Sequence, residues 1–183
     1  MSTRERYEYY EEIYSRVFKR LGEKISVVDL GAGVNGLSYN SFSEIGKKVD
    51  YLAIEAVGQL VDIMNNYFKK AKIKNAKAVQ ESLFELEKIK KLISEMSRPR
   101  VIFMFKVIDS LESLERDYTK KFLETIMPLL DRCILSFATE SWLKRTKFFV
   151  QRTWIINFIR ENWQFIDDFN FGGERYLVFE QRK

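Results

Sequence analysis

An apolar run, Val27-Val28-Asp29-Leu30, leads straight into the turn Gly31-Ala32-Gly33-Val34-Asn35-Gly36, and a second apolar run, Tyr51-Leu52-Ala53-Ile54, ends in Glu55. Two such runs placed side by side as parallel strands bring the glycine turn and Glu55 to one carboxyl edge. Glycines let backbone approach a ligand closely, and a carboxylate at the next strand end can accept hydrogen bonds from both hydroxyls of a ribose. This pattern defines a nucleoside-cofactor site and ties the chain to folds that have such an edge.

The rest of the chain alternates in the same sense. Strands are predicted over 26–30, 51–55, 76–80, 100–105, 132–137, 164–169 and 175–180, and helices over 40–45, 58–72, 83–96, 118–130 and 148–162. A first helix over 7–21 carries Tyr7, Tyr10, Ile13, Tyr14, Val17, Phe18 and Leu21 at helical spacing and stops at Gly22. Alternation of this kind predicts an α/β, Rossmann-like, doubly wound sheet. The last two strands are too close in sequence for a crossover helix, so they pair antiparallel, giving seven strands with the last reversed. No linker or repeat interrupts residues 1–183, which are expected to form one domain, with residues 1–22 as an N-terminal helix covering the cofactor site.

Composition excludes several chemistries. The chain has no histidine, which removes the usual general base and the commonest metal ligand, so no metal is expected. Its one cysteine, Cys133, cannot form an internal disulfide and reads as a buried strand residue. No stretch approaches the roughly 20 apolar residues of a membrane span, and the charged N-terminus is no secretory signal, so a cytoplasmic protein without a membrane partner is expected. The net charge is +5, with basic clusters at Lys69, Lys70, Lys72, Lys74 and Lys77, at Lys88, Lys90 and Lys91, and at Lys144, Arg145, Lys147 and Arg152. The first two clusters read as solvated helix faces.

The turn fits the dinucleotide pattern G-x-G-x-x-G. Asp29 beside it would repel a pyrophosphate but could receive an ammonium, and the chain is short for a separate substrate domain. V-V-D-L-G-A-G also resembles the first motif of class I S-adenosylmethionine-dependent methyltransferases, whose cofactor is cationic and lacks phosphate. On that reading the cofactor is S-adenosylmethionine, and its binding residues are Asp29, Gly31, Ala32, Gly33, Asn35, Glu55, Ala56, Glu81, Ser82 and Phe105. Asp29 and the turn face the methionine part, Glu55 the ribose, and Glu81 the adenine amino group. Lys106 ends the fourth strand, where such enzymes meet the methyl acceptor.

A closer resemblance runs nearly the whole length. Ser2-Thr3-Arg4-Glu5-Arg6, Tyr14, Phe18, D-L-G-A-G-V-N-G-L, Phe105-Lys106-Val107-Ile108-Asp109-Ser110-Leu111-Glu112 and Ser136-Phe137 resemble segments of the Arm/Kam family of 16S ribosomal RNA methyltransferases. The resemblance implies that Arg6 grips the methionine carboxylate and that the basic loop 138–149 touches RNA, with Trp142, Lys144, Arg145 and Lys147 as RNA-binding residues. Aromatic and basic side chains together suit base stacking and phosphate contact. The implied partner is small-subunit ribosomal RNA or the assembled subunit, and the implied acceptor is guanine N7, whose lone pair needs no general base. Lys106 and Asp109 are the candidate catalytic residues, with Asp109 or Glu112 opposing the charge that forms on the purine. The chain departs from the family at Gly36, where the family has proline, at Glu55 in place of aspartate, and in the glycines and methionine of the basic loop. The family also carries an N-terminal helical extension, whereas this chain begins at the S-T-R-E-R segment. A small-molecule or protein methyltransferase, or a non-catalytic cofactor-binding module, are the alternative readings.

Overall fold

The computed structural model describes residues 6–139 and 152–182. Its strands are β1 (Lys24–Leu30), β2 (Lys48–Glu55), β3 (Ala76–Gln80), β4 (Arg100–Phe105), β5 (Arg132–Ala138), β6 (Gln164–Phe171) and β7 (Glu174–Glu180). They form one sheet in the order β3-β2-β1-β4-β5-β7-β6, with β1 to β5 parallel and β7 antiparallel to both its neighbours. The reversed last strand is therefore as expected from sequence. Gly172 and Gly173 make the two-residue connection between β6 and β7, both with positive φ (55° and 73°), as a hairpin turn of this length demands.

Helices cover both faces: α1 (Tyr10–Val17), α2 (Asn40–Glu44), α3 (Gly58–Lys70), α4 (Leu86–Ser94), α5 (Ile108–Leu114), α6 (Tyr118–Ile126) and α7 (Thr153–Asn162). Alternate strand residues sort between two cores. Val28, Leu30, Leu52, Ile54, Ile102 and Met104 pack under α4 to α7, while Val27, Tyr51, Ala53, Val101 and Phe103 pack under α1 to α3. Cys133 is fully buried and its thiol pKa is raised by that burial, in keeping with a structural role. Among the described residues no helix is long and apolar enough to cross a membrane.

Two differences from the sequence-based expectation concern helices. The first helix is shorter than 7–21: a 3-10 turn (Tyr7–Tyr9) precedes α1, which ends at Val17. There the guanidinium of Arg132 in β5 donates to the carbonyls of Val17 (2.7 Å) and Lys19 (2.9 Å), and Arg20 takes a left-handed φ of 67°. Those bonds satisfy carbonyls that a longer helix would have used itself. The short α5 was not among the predicted helices; its 7 residues follow β4 almost at once.

Gly36 has a packing reason. A Cβ there would lie 2.8 Å from Phe68 Cζ, 3.0 Å from Met64 Sδ and 3.2 Å from Tyr51 Cε1. The aromatic floor under the turn thus occupies the room that a proline ring or any side chain would need. Gly36→Ala is expected to cost about 1–3 kcal/mol by overpacking, read as a lower urea midpoint with an unchanged slope.

Candidate cofactor and acceptor site

The carboxyl edge of β1 carries a buried polar chain. Asp29 is 1% exposed; its Oδ2 accepts hydrogen bonds from Asn35 Nδ2 (2.7 Å) and the Tyr51 hydroxyl (2.7 Å). Its Oδ1 is buried with no hydrogen-bond partner. Burial raises the Asp29 pKa, against the opposing pull of Tyr51, Asn35 and Arg6. Asn35 passes the chain on: its Oδ1 accepts from Arg6 Nη1 (2.8 Å) and from the Tyr10 hydroxyl (2.6 Å). Arg6, 3% exposed, comes from the segment that leads into α1, so the N-terminal segment is fastened to the turn after β1.

The chain continues across the sheet. Arg6 Nε donates to Glu174 Oε2 (3.1 Å), Lys106 Nζ lies 3.4 Å from the same oxygen, and Ser136 Oγ bonds Glu174 Oε1. The Arg6 guanidinium also sits 4.8 Å from the centre of the Phe105 ring, a cation–π contact. Burial works against the Arg6 charge, but Glu174, Tyr10, Tyr176 and Asp29 outweigh it and raise the pKa. Lys106 has a left-handed backbone (φ 56°), held by its N–H to Ser136 O (3.1 Å) and Oγ (3.2 Å). For a side-chain-bearing residue that conformation costs roughly 1–2 kcal/mol and is typical of functional strand ends.

Glu174 was missed by sequence reasoning, as were Tyr10 and Tyr51 as members of the site. A carboxylate just after two glycines reads as a solvated turn. The available signal was the period of two along β7: Glu174 shares a face with Tyr176 and Val178, which belong to the core under α1 to α3.

The second half of the edge gathers the other predicted residues. Glu55 Oε2 accepts from Gly33 N (2.8 Å) and Oε1 from Val57 N (3.0 Å), so the carboxylate ties the turn after β1 to the end of β2. Each oxygen keeps a lone pair for another donor. Gly33 requires its freedom here, with φ at 57° and its N–H aimed at Glu55. Gly31 and Ala32 donate their N–H groups to Ile54 O (2.9 and 3.1 Å), and Ala56 lies exposed beside Glu55. Glu81 Oε1 accepts from Ser82 N (3.0 Å), and Oε2 lies 3.3 Å from Lys88 Nζ; these contacts lower its pKa. Phe105 is buried, stacked on Phe103 at 4.6 Å.

Two predicted acidic residues point elsewhere. Glu112 uses its two oxygens on the N–H groups of Asp117 (2.8 Å) and Thr119 (2.9 Å), capping α6. Asp109 is joined by no hydrogen bond to the buried chain; Arg152 takes both its oxygens, with Nη2 at 2.6 Å from Oδ2. That pair fixes the residue following the basic loop against α5. Trp142, Lys144, Arg145, Lys147 and Phe148 lie outside the described residues.

The strand order, the reversed β7 and the site at the carboxyl edge of β1 and β2 define the class I methyltransferase fold. The 16S rRNA methyltransferase RmtF, solved with S-adenosyl-L-homocysteine, shares it with a TM-score of 0.75 and 18% identity. The match covers 99% of this chain and 65% of RmtF, so the chain spans less than two thirds of that protein. The 16S rRNA methylase ArmA matches with a TM-score of 0.69 and 16% identity, over 100% of this chain and 87% of its own. A SAM-dependent methyltransferase from Aquifex aeolicus matches with a TM-score of 0.62 and 17% identity, over 93% and 88%. At these identities the likeness is one of fold. No family model and no curated protein matches the chain.

Proposed function

We propose that this protein is an S-adenosylmethionine-dependent methyltransferase acting on RNA, with N7 of a guanine in small-subunit ribosomal RNA as its acceptor. The observation that carries the reading is the buried chain Asp29–Asn35–Arg6 meeting Glu55 on one strand edge. The donor set fits the cofactor: the unpartnered Asp29 Oδ1 suits an ammonium, Arg6 a carboxylate, and Glu55 a pair of ribose hydroxyls. Gly31, Ala32, Gly33, Asn35, Ala56, Glu81, Ser82 and Phe105 complete that pocket in this reading, with Glu81 receiving the adenine amino group. Bound there, S-adenosylmethionine supplies a methyl group activated by its sulfonium.

The protein's own part is positioning and charge. Guanine N7 offers a free lone pair, so a chain without histidine needs no general base at this step. Lys106, strained just after β4 and held by Glu174 and Ser136, faces the acceptor in this reading, its ammonium able to turn to an exocyclic oxygen of the base. Asp109, whose pairing with Arg152 holds the flank of the basic loop, acts by placing that loop in this reading. Trp142, Lys144, Arg145 and Lys147 are the RNA contacts; unstacking the base costs a few kcal/mol, and aromatic stacking offsets about 1–3 kcal/mol of it.

The test is transfer of labelled methyl to small ribosomal subunits, naked ribosomal RNA and transfer RNA in parallel. Cleavage at N7-methylguanine in the labelled RNA is the expected result. Label in none of them, with cofactor binding intact, would rule out the RNA acceptor. In the same assay Arg145→Ala with Lys147→Ala is expected to lose tenfold or more in turnover, with cofactor affinity within twofold of the parent. Full turnover in that variant would remove the loop from the RNA contact.

A further inference from the structure

At the opposite edge of the sheet, where the parallel strands begin, a cavity of about 450 Å³ opens between α2, the start of β2 and the turn from α3 into β3. Lys47, Lys48, Lys72 and Lys74 line it, together with the polar side chains of Asn40, Ser43 and Asn75. No carboxylate belongs to its lining; Glu23 pairs with Lys48 at 2.7 Å, Asp50 acts electrostatically on Tyr39, and Glu44 follows Ser43 on α2. Lys72 and Lys74 are exposed and take part in no ion pair among the described residues.

The walls are fixed. Lys47 Nζ donates to the carbonyls of Leu21 (2.8 Å) and Gly22 (3.0 Å). Asn75 Nδ2 bonds the Tyr39 hydroxyl and Val49 O, and Tyr39 itself donates to Val49 O at 2.7 Å. Four ammonium groups around a concavity, three of them in no ion pair among the described residues, with the Asn40 amide and the Ser43 hydroxyl beside them, have the chemistry to bind a phosphate diester chain. A lipid surface is a poor match: among the described residues, no exposed large apolar side chain lines this cavity.

We propose that this cavity is a second RNA contact, binding backbone phosphates of the substrate while the target base lies at the carboxyl edge. The proposal rests on the RNA reading above. β2 runs from this cavity to Glu55 at the cofactor edge, a span of about 23 Å for its 8 residues, and the acceptor side after β4 lies on that same edge two strands away, at least as far off. The two contacts therefore select RNA folded to present phosphate and target base at that separation, which favours a structured RNA over a free strand.

The experiment uses the full chain with Lys72→Gln and Lys74→Gln, against Lys90→Gln with Lys91→Gln on α4 as an equal change in charge. Binding to small-subunit RNA is titrated between 50 and 200 mM salt. The expected loss is about five- to tenfold per phosphate contact removed, with the slope of log affinity on log salt falling by about 1.4–1.8 for two. The control pair should stay within about twofold, and S-adenosylmethionine affinity should be unchanged in both variants. Equal losses in the two variants, or none in either, would overturn the proposal, as would loss of binding to anionic vesicles with RNA affinity intact. Absence of RNA binding by the parent protein would defeat the RNA reading itself and this inference with it.

Discussion

Arg6→Ala is expected to abolish useful binding of the methyl donor, with at least about a hundredfold loss of affinity, and to destabilise the protein by about 3–5 kcal/mol. The two effects have separate origins. Affinity falls because a charge-assisted partner for the methionine carboxylate is gone. Stability falls because Glu174, 1% exposed, loses its closest cation and is left with Lys106 and Ser136 as its hydrogen-bond and ion-pair partners among the described residues. Adding Glu174→Gln removes the stranded charge, so the double variant should regain part of the lost stability and none of the affinity. Calorimetric titration and urea unfolding read the two quantities independently. A single variant that keeps its affinity would show that Arg6 serves the fold alone.

Asp29→Asn should separate the same quantities with opposite signs. The asparagine oxygen can still accept from Asn35 and Tyr51, and its NH₂ replaces an oxygen that has no partner. Stability at neutral pH should therefore be unchanged or raised by about 1 kcal/mol, while methyl-donor affinity drops by about a hundredfold with the lost ion pair. The pH dependence follows from burial, which raises the Asp29 pKa above its unfolded value. The folded state then holds that proton more tightly, so this group's contribution to stability is full below the unfolded pKa and is lost as pH rises through the folded one. Binding runs the other way. Parent affinity should begin to fall, on acidification, above the ordinary carboxylate range; the asparagine variant should lack that component. A parent protein with flat affinity through that range would contradict the assignment of Asp29.

Much of the architecture was legible because parallel strands buried on both faces leave continuous apolar runs: β4, buried from Val101 to Phe105, has the bounds its composition implied. The glycine turn and Glu55 were legible for a similar reason, since strand ends locate the ligand edge. Two of the misreadings involve distant partners. Helix α1 stops where Arg132, more than a hundred residues away, takes its last carbonyls. Glu174 lies where β7 inserts between β5 and β6; the period of two along β7 marks its face, but its partners Arg6 and Ser136 come from far off in sequence. Glu112 and Asp109 sit in a motif that suggested chemistry, yet one caps a helix and the other pairs with Arg152. The basic cavity escaped for a simpler reason: Lys47 and Lys48 are separated in sequence from Lys72 and Lys74, and only the turns below β2 and β3 bring them together.

The N-terminal segment is fastened in part to the turn after β1, through Asn35 and Ser38, and in part by late-arriving portions of the chain. Arg6 bonds Glu174 across 168 residues, Arg16 bonds Asp167 across 151, and Arg132 reaches Val17 across 115. Contacts this distant form slowly, since the chain between them must be ordered first. During synthesis, then, Arg6 waits for this counter-ion until Glu174, 168 residues later, has been made. A polypeptide lacking β7 would carry the glycine turn and Glu55 and could still bond Arg6 to Asn35, but Arg6 would gain its buried ion pair with that strand rather than along the way.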